Sequence, residues 1–563
     1  MQLNKFAGYL EKLEKTSSRL EITSILTDLF KKTDTDEIQK TVYLTLGILA
    51  PNYEGVLLNL AEKMVIKAIV LAYSAEPGAV IKLYKEKGDV GDTAELLATS
   101  TKQSEGQRLT VSDIYEKLLA IAKDSGGGSQ DRKIKKMAQI LTEIDPLSAR
   151  YIARIPVGRL RLGFSEKTII DALAGHDKKI QKDIEKAYNI RPDIGYIAKL
   201  VKEGNIKAAK PAVGVPIVPM LAQRLNSTTE MIKKMGEVSV EPKFDGLRIF
   251  IHYKKPDFIR IFTRNMNVLD PNIFPELKEI RKYIKAESVV LDTEAVGLDE
   301  KRERFVDFQK TIQRRRKHDI VKSSENTPLQ FQVFDVLILN GESFINTPYT
   351  ERRKILEKEV VNGKLFRVDE NTITKDPEVI KNLHQKYLKM GLEGVVVKKA
   401  NGGYVSGRTG WNWVKMKEVE GKRGKLSDTV DCVVMGYTTG KGKRAGFGMG
   451  QFLAGVRDGE TFKSVTKVGT GLSDEQFREL KARLTKIQVK EKPKEYVVNK
   501  DLHPDFWVTP SVVIELAADE ITVSPKHTAG LALRFPRLIR FRDDRSAIDV
   551  TTVNELHDLL KLQ

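Results

Sequence analysis

Over roughly the first 210 residues, apolar positions recur three and four apart. LEITSILTDLF (20–30), VSDIYEKLLAIA (111–122) and KKMAQILTEI (135–144) each gather them on one helical face, and strand-like alternation is scarce. This region is predicted to be all-α. Inside it, DSGGGSQ (124–130) predicts a loop, because adjacent glycines do not hold a helix. The texture changes at KPAVGVPIVP (210–219), where repeated prolines cannot continue a helix. Alternating, β-branched runs follow at 247–253, 258–263, 289–296, 329–338 and 394–398, with helical patterns between them. They predict a mixed α+β domain built on antiparallel sheets. A second change comes at EGKRGKL (420–426); beyond it, short strands at 429–437, 451–457, 462–468 and 512–518 with Gly-rich turns predict a small β-barrel. The predicted division is 1–212, 213–424 and 425–563.

Length and composition fit that picture. A chain of 563 residues, 30% charged and 41% hydrophobic, can bury about three cores. The formal charge of +19 points to a polyanionic partner, of which nucleic acid is the commonest. A heat-adapted, lysine-rich surface would give the same excess. The single cysteine, Cys432, excludes an internal disulfide and a Cys-based metal site, and fits a reducing cytoplasm. The N-terminal MQLNKFAGYLEKLEK is amphipathic and charged, unlike a signal peptide. The most apolar early stretch, 64–73, is short and carries Lys67, so no membrane span is expected.

The chemistry concentrates in Glu241-Pro242-Lys243-Phe244-Asp245-Gly246-Leu247-Arg248. A lysine between carboxylates, at the mouth of a strand pair, is a candidate nucleophile. A surface Asp-Gly turn would read the same way. Cationic loops are candidate phosphate contacts: Arg132, Lys133, Lys135 and Lys136 after the glycines, the stretch 154–163 with Arg159 and Arg161, QRRRKHD (313–319), and TTGKGKRAGFGMG (438–450).

Further stretches follow in a fixed order. They are FTRNMNVLD with Arg264, LDTEAVG with Glu294, FQVFDVLILNGESF with Phe334, GLEGVVVKK with Glu393, YVSGRTGWNWVKMK with Arg408, Lys415 and Lys417, and LRFPRLIRFRDDR near the end. With EPKFDGLRI at their head, they resemble the motif series of the three-domain ATP-dependent DNA ligases of archaea and eukaryotes. The likeness covers nearly the whole chain.

The resemblance implies a helical N-terminal DNA-binding domain, an adenylation (nucleotidyltransferase) domain and a C-terminal OB-fold. It implies sealing of 5′-phosphate/3′-hydroxyl nicks during DNA replication, repair and recombination. Lys243 would carry AMP taken from ATP. Glu241 would accept from the adenine amine, Phe334 would stack on the purine, and Glu294 would bind a ribose hydroxyl or help place a metal. Arg248, Arg264 and Arg408 would hold ribose and phosphate oxygens. Lys415 would neutralise the α-phosphate, with Lys417 beside it. Glu393 and Asp245 would serve Mg²⁺, with Mn²⁺ accepted in its place. Arg534 and Arg537 would meet ATP on closure, and Arg545 stands where the family usually has lysine. The expected partner is nicked duplex DNA, bound by a monomer. A sliding clamp is a further candidate, although KQSEGQRL (102–109) lacks the aromatic of the family's clamp motif. Two rivals stay open: an RNA ligase or capping-type nucleotidyltransferase, and a non-catalytic nucleic-acid clamp.

Overall fold

The computed structural model describes residues 1–101, 109–158, 160, 162–175, 177–299, 301, 305–306, 311, 327–407, 410–417, 429–440 and 447–561. The periodic stretches fold as helices. VSDIYEKLLAIA forms Val111–Ala122, closed by a capping box between Thr110 and Asp113. LEITSILTDLF lies within Arg19–Lys32, capped by Ser18. Among the described residues, twelve α-helices lie between Leu3 and Lys202. Their inward stripes meet in one apolar core running from Leu3 to Ala209. That burial holds them, since isolated helices of this length are marginal in water.

The glycine loop is shorter than predicted, because Ser129 and Gln130 already belong to the helix Ser129–Glu143. Its neighbouring cations are also committed elsewhere. Arg132 folds back onto the Gly127 carbonyl at 2.7 Å and onto Asp124 at 2.6 Å, and Lys136 reaches the same carboxylate at 2.8 Å. Together they hold the Asp124 carboxyl down at about 2. Lys133 is a correction: it is buried and donates to the Leu58 carbonyl at 2.9 Å, because helical periodicity turns it inward with Ile134 and Met137. Lys135 is exposed. Arg154 is a second correction. It ends the helix Pro146–Arg154, is 1% exposed, and pairs with Asp89, Asp92 and Glu14 at 2.8, 2.8 and 2.9 Å. Arg159, Arg161, 313–319 and 102–108 lie outside the described residues.

Among the described residues, twelve strands follow: β1 (Gln223–Arg224), β2 (Val238–Lys243), β3 (Leu247–Lys254), β4 (Phe258–Thr263), β5 (Val268–Leu269), β6 (Ser288–Gly297), β7 (Leu329–Leu339), β8 (Glu342–Ser343), β9 (Phe366–Val368), β10 (Thr372–Thr374), β11 (Gly394–Lys399) and β12 (Trp413–Met416). One sheet runs β1-β12-β11-β2-β10. The other runs β5-β4-β3-β6-β7-β8, with β9 on β7. The sheets are antiparallel except at two short pairs, β1 with β12 and β7 with β9. In the first sheet, Val238, Val240, Val395, Val397, Val414 and Met416 pack under the helices Thr228–Met235 and Pro377–Lys389. The opposite face carries the polar residues of the motifs, as the period of two requires. The second sheet buries Ile249, Ile251, Leu291, Phe331 and Val333 on one side.

Its other side meets the helical region. Tyr53 packs edge-on against Phe262 at 6.5 Å, and Arg260 donates to the Tyr53 carbonyl. Residues Met1–Met416 accordingly form one compact unit, and Lys417–Gln563 form another. The change of texture near 212 separates two cores within one unit, joined at this contact.

The second unit carries ten strands among its described residues, from β13 (Val430–Thr438), β14 (Gln451–Asp458) and β15 (Thr461–Val468) through β16 (Gln488–Val489), β17 (Tyr496–Val497), β18 (Phe506–Val508) and β19 (Val513–Ala517) to β20 (Glu520–Val523), β21 (Leu531–Arg534) and β22 (Arg537–Phe541). On the edge away from β14, β13 pairs with β19 along 430–433 and with β18 at 436–437. Irregularities at Val434/Gly436 and Ala454/Gly455 tighten the local twist. Gly436 is required there, because a Cβ would stand 2.5 Å from the Phe506 carbonyl oxygen.

Candidate active site

Strand β2 was not among the sequence-predicted strands, because Glu241, Pro242 and Lys243 are poor strand formers. Tertiary pairing settles it. β11 pairs along its whole length, while β10 stops at Val240, so Pro242 faces no partner on that edge. In this register Gly394 stands opposite Lys243, Val396 opposite Glu241, and Lys398 opposite Ser239. On β12, Lys415 pairs with Val396 and Trp413 with Lys398. Paired residues share a face, so Lys243, Glu241, Lys398, Lys415 and Trp413 all line one side of the sheet.

Lys243 is one-fifth exposed, and its Nζ sits 2.5 Å from Glu393 Oε2. The close approach of β11 needs a glycine at 394, where φ is +132° and a Cβ would meet the Met416 carbonyl at 2.1 Å. Gly246 plays the matching part behind the lysine. A Cβ there would lie 2.5 Å from the Ala295 oxygen and 3.0 Å from Glu294 Cγ. That contact seats the 243–246 turn against β6 and brings Glu294 near Lys243. Burial lifts the Glu294 carboxyl to about 7, against the pull of Lys243 and Arg248.

Glu241 is 1% exposed. Its Oε1 accepts from Tyr349 Oη and from Ser239 Oγ, the latter at 3.0 Å, and its Oε2 pairs with Lys398 Nζ at 2.5 Å. Phe334 is half-buried, 6.0 Å edge-on from Trp413, with the Lys398 ammonium 4.9 Å and the Arg248 guanidinium 5.4 Å from its ring centre. Arg248 is held by Asp292 through both oxygens (2.9 and 2.6 Å) and donates to the Met220 carbonyl at 2.8 Å. Tyr404 braces the same carboxylate at 3.0 Å.

The structure therefore gathers Lys243, Glu241, Arg248, Glu294, Phe334, Glu393 and Lys415 around facing sheets. Asp245 lies in the turn behind the lysine, and Arg264 is exposed just past β4. Arg408 lies outside the described residues, and Lys417 opens the second unit. Lys398, Tyr349, Trp413, Tyr404 and Asp292 went unpredicted as site residues. A lysine at an inward position of the apolar run GVVVKK was the one available signal.

The whole chain aligns with known proteins. Residues 2–174 match the family described as DNA ligase N terminus, 219–417 the ATP dependent DNA ligase domain, and 445–545 the ATP dependent DNA ligase C terminal region. A probable DNA ligase of Dictyoglomus turgidum is 40% identical over 100% of this chain and 98% of its own length. The chain belongs to the ATP-dependent DNA ligases. A DNA ligase of Saccharolobus solfataricus is 37% identical, with the same shares covered. A solved structure titled Pmar-Lig_Pre. has a TM-score of 0.56 at 19% identity, spanning 96% of this chain and 99% of that one. As a member of this family the chain is a nucleotidyltransferase that uses ATP and acts on DNA, with the three-part ligase architecture. No described helix is long and apolar enough to cross a membrane.

Proposed function

We propose that Lys243 Nζ attacks the α-phosphorus of ATP. An N–P bond forms, the bond to pyrophosphate breaks, and lysyl-AMP results. The AMP then passes to the 5′-phosphate of a nick, and the 3′-hydroxyl displaces it. The observation that carries this reading is the 2.5 Å pair of Lys243 and Glu393 beside Glu294, between the two sheets. An ammonium has no lone pair, so this ion pair must be undone before attack.

The other roles belong to the same proposal and rest on the motif resemblance. Phe334 and Glu241 would bind the purine, Glu294 a ribose hydroxyl, and Lys415 the α-phosphate. Arg264 and Arg408 would serve phosphate and ribose oxygens. Arg248, clamped to Asp292, would act mainly by holding the wall that carries Glu294. Carboxylate oxygens are the donors a hard cation takes, and among the described residues no three His, Cys, Asp or Glu are grouped to hold a metal by themselves, so phosphate oxygens would have to complete the shell. Glu393 and Asp245 would hold Mg²⁺, or Mn²⁺, together with phosphate oxygens. The ion would supply charge neutralisation at the phosphates. The β-rich C-terminal unit is read as the OB-fold; within it Arg534 pairs with Glu520 at 2.6 Å and Arg537 with Asp519 at 2.7 Å. The partner is nicked duplex DNA, bound by a monomer, and the lone buried Cys432 supports a cytoplasmic setting.

The test is labelling with ATP radioactive at its α-phosphate. The wild type should take up label and release it to a nicked duplex, and Lys243→Ala should take up none. Label persisting on Lys243→Ala, or transfer to nicked RNA in preference to DNA, overturns the proposal.

A further inference from the structure

We propose that Lys398 is a positioning residue for purine selection: it ties Glu241 to the Phe334 backbone and keeps the Glu241 carboxylate an acceptor-only group on the wall of the nucleotide cleft. This rests on the reading above that Glu241 and Phe334 meet the base.

Lys398 is 1% exposed, and each N–H of its ammonium has an acceptor: Glu241 Oε2 at 2.5 Å, the Phe334 carbonyl at 2.8 Å, and Tyr349 Oη at 3.3 Å. The rings of Phe334, Tyr349 and Trp413 surround it at 4.9, 4.5 and 4.8 Å. With three protons so used, it has none left for a phosphate. A buried cation is costly unless paired and fully hydrogen-bonded, and this one is both. Its bonds run from β11 to β2, to β7 and to the helix Tyr349–Glu359. Two of those elements carry the residues read as purine contacts, so one ammonium sets the distance between them.

The charge has a second effect. A carboxylate offers about four acceptor sites. Three are taken by Tyr349, Ser239 and Lys398, which leaves one for an exocyclic amine. Adenine presents an amine at its six-position and guanine presents a carbonyl there. Without Lys398, Glu241 would sit buried beside Asp369, a second buried acid. Burial and Glu241 already push the Asp369 carboxyl well above its ordinary range. Removing the ammonium would release the Glu241 oxygen it holds and leave two buried acids with one countercharge fewer, so the acceptor facing the base would no longer be fixed. Lys398 thus holds in place the acceptor that distinguishes the two purines.

The experiment measures covalent nucleotidylation of the full chain with ATP and with GTP, taking kcat and KM for each. Sealing of a pre-adenylated nick reports on the fold. Lys398→Met is expected to lower the preference for ATP by about tenfold or more, chiefly through KM, as for loss of a charge-assisted hydrogen bond. Glu241→Gln should lower it as well, and the double variant should lose no more than the larger single loss. If Glu241→Gln shifts the preference and a sealing-competent Lys398→Met does not, the Lys398 proposal is overturned alone. If Glu241→Gln leaves it unchanged, the purine reading of Glu241 fails first. Should Lys398→Met fail to seal, Lys398→Arg carries the test: the retained cation must keep the preference, and its loss in a sealing protein overturns the proposal.

Discussion

At the scale of single residues, a glycine in the turn after Lys243 and a buried histidine on β3 have measurable consequences. Gly246 has no room for a side chain, since a Cβ would press on the Ala295 carbonyl at 2.5 Å. Gly246→Ala should cost about 1–3 kcal/mol, as overpacking does, and should slow adenylation by moving Glu294. Thermal unfolding and label uptake check the two effects. His252, buried on β3, accepts the Gly214 N–H at 2.9 Å, and burial with Arg260 nearby depresses its pKa to about 3. The unfolded chain therefore binds a proton that the folded one refuses between about pH 6.5 and 3. Stability should be whole above pH 6.5 and fall as the pH drops, by about 2 kcal/mol from this group between pH 7 and 5. His252→Gln keeps an acceptor but does not titrate, so urea denaturation at the two pH values should show that share of the loss gone. The KFDG string was readable as a nucleophile motif. Nothing in it reveals that its glycine is packed against a strand about fifty residues on.

At the scale of elements, the strands most legible in the sequence were those with alternating or unbroken β-branched runs. The stretch 258–263 was predicted to the residue, and 247–253, 329–338 and 394–398 to within one. β2 was missed because it forms only through its neighbours. The helix Tyr349–Glu359 shows the same limit. It docks on β7 through Arg352 and Asp335, both buried, with bonds of 2.7 and 2.9 Å. It thereby delivers Tyr349 to Glu241, 108 residues away in sequence. Asp335→Ala would strand the guanidinium in the interior. Loss of one partner of a buried pair typically costs about 3–5 kcal/mol. Denaturant unfolding should show that loss, and KM for ATP should rise because Tyr349 and Glu241 lose their shared register.

At the scale of the molecule, charge and cores act differently. The +19 excess predicts DNA binding that weakens steeply with salt, with log K against log salt falling about 0.9 per phosphate neutralised. A titration from low to physiological salt should give a slope of magnitude about 4 or more if several loops contact the backbone. A flat response would refute the electrostatic reading. The units Met1–Met416 and Lys417–Gln563 carry separate cores. Calorimetry should therefore resolve more than one transition, because cooperativity follows contiguous packing. The sequence alone determined the helical and strand-rich regions, the order of the motifs, the candidate nucleophile and the net positive charge, since these depend on local period, residue type and summed charge. Only the tertiary structure decided that Lys133 and Arg154 face inward, that β2 is a strand, and that Lys398 holds Glu241. Those outcomes depend on which distant backbone supplies the partner, and hydrogen bonds across sheets leave no mark in local periodicity.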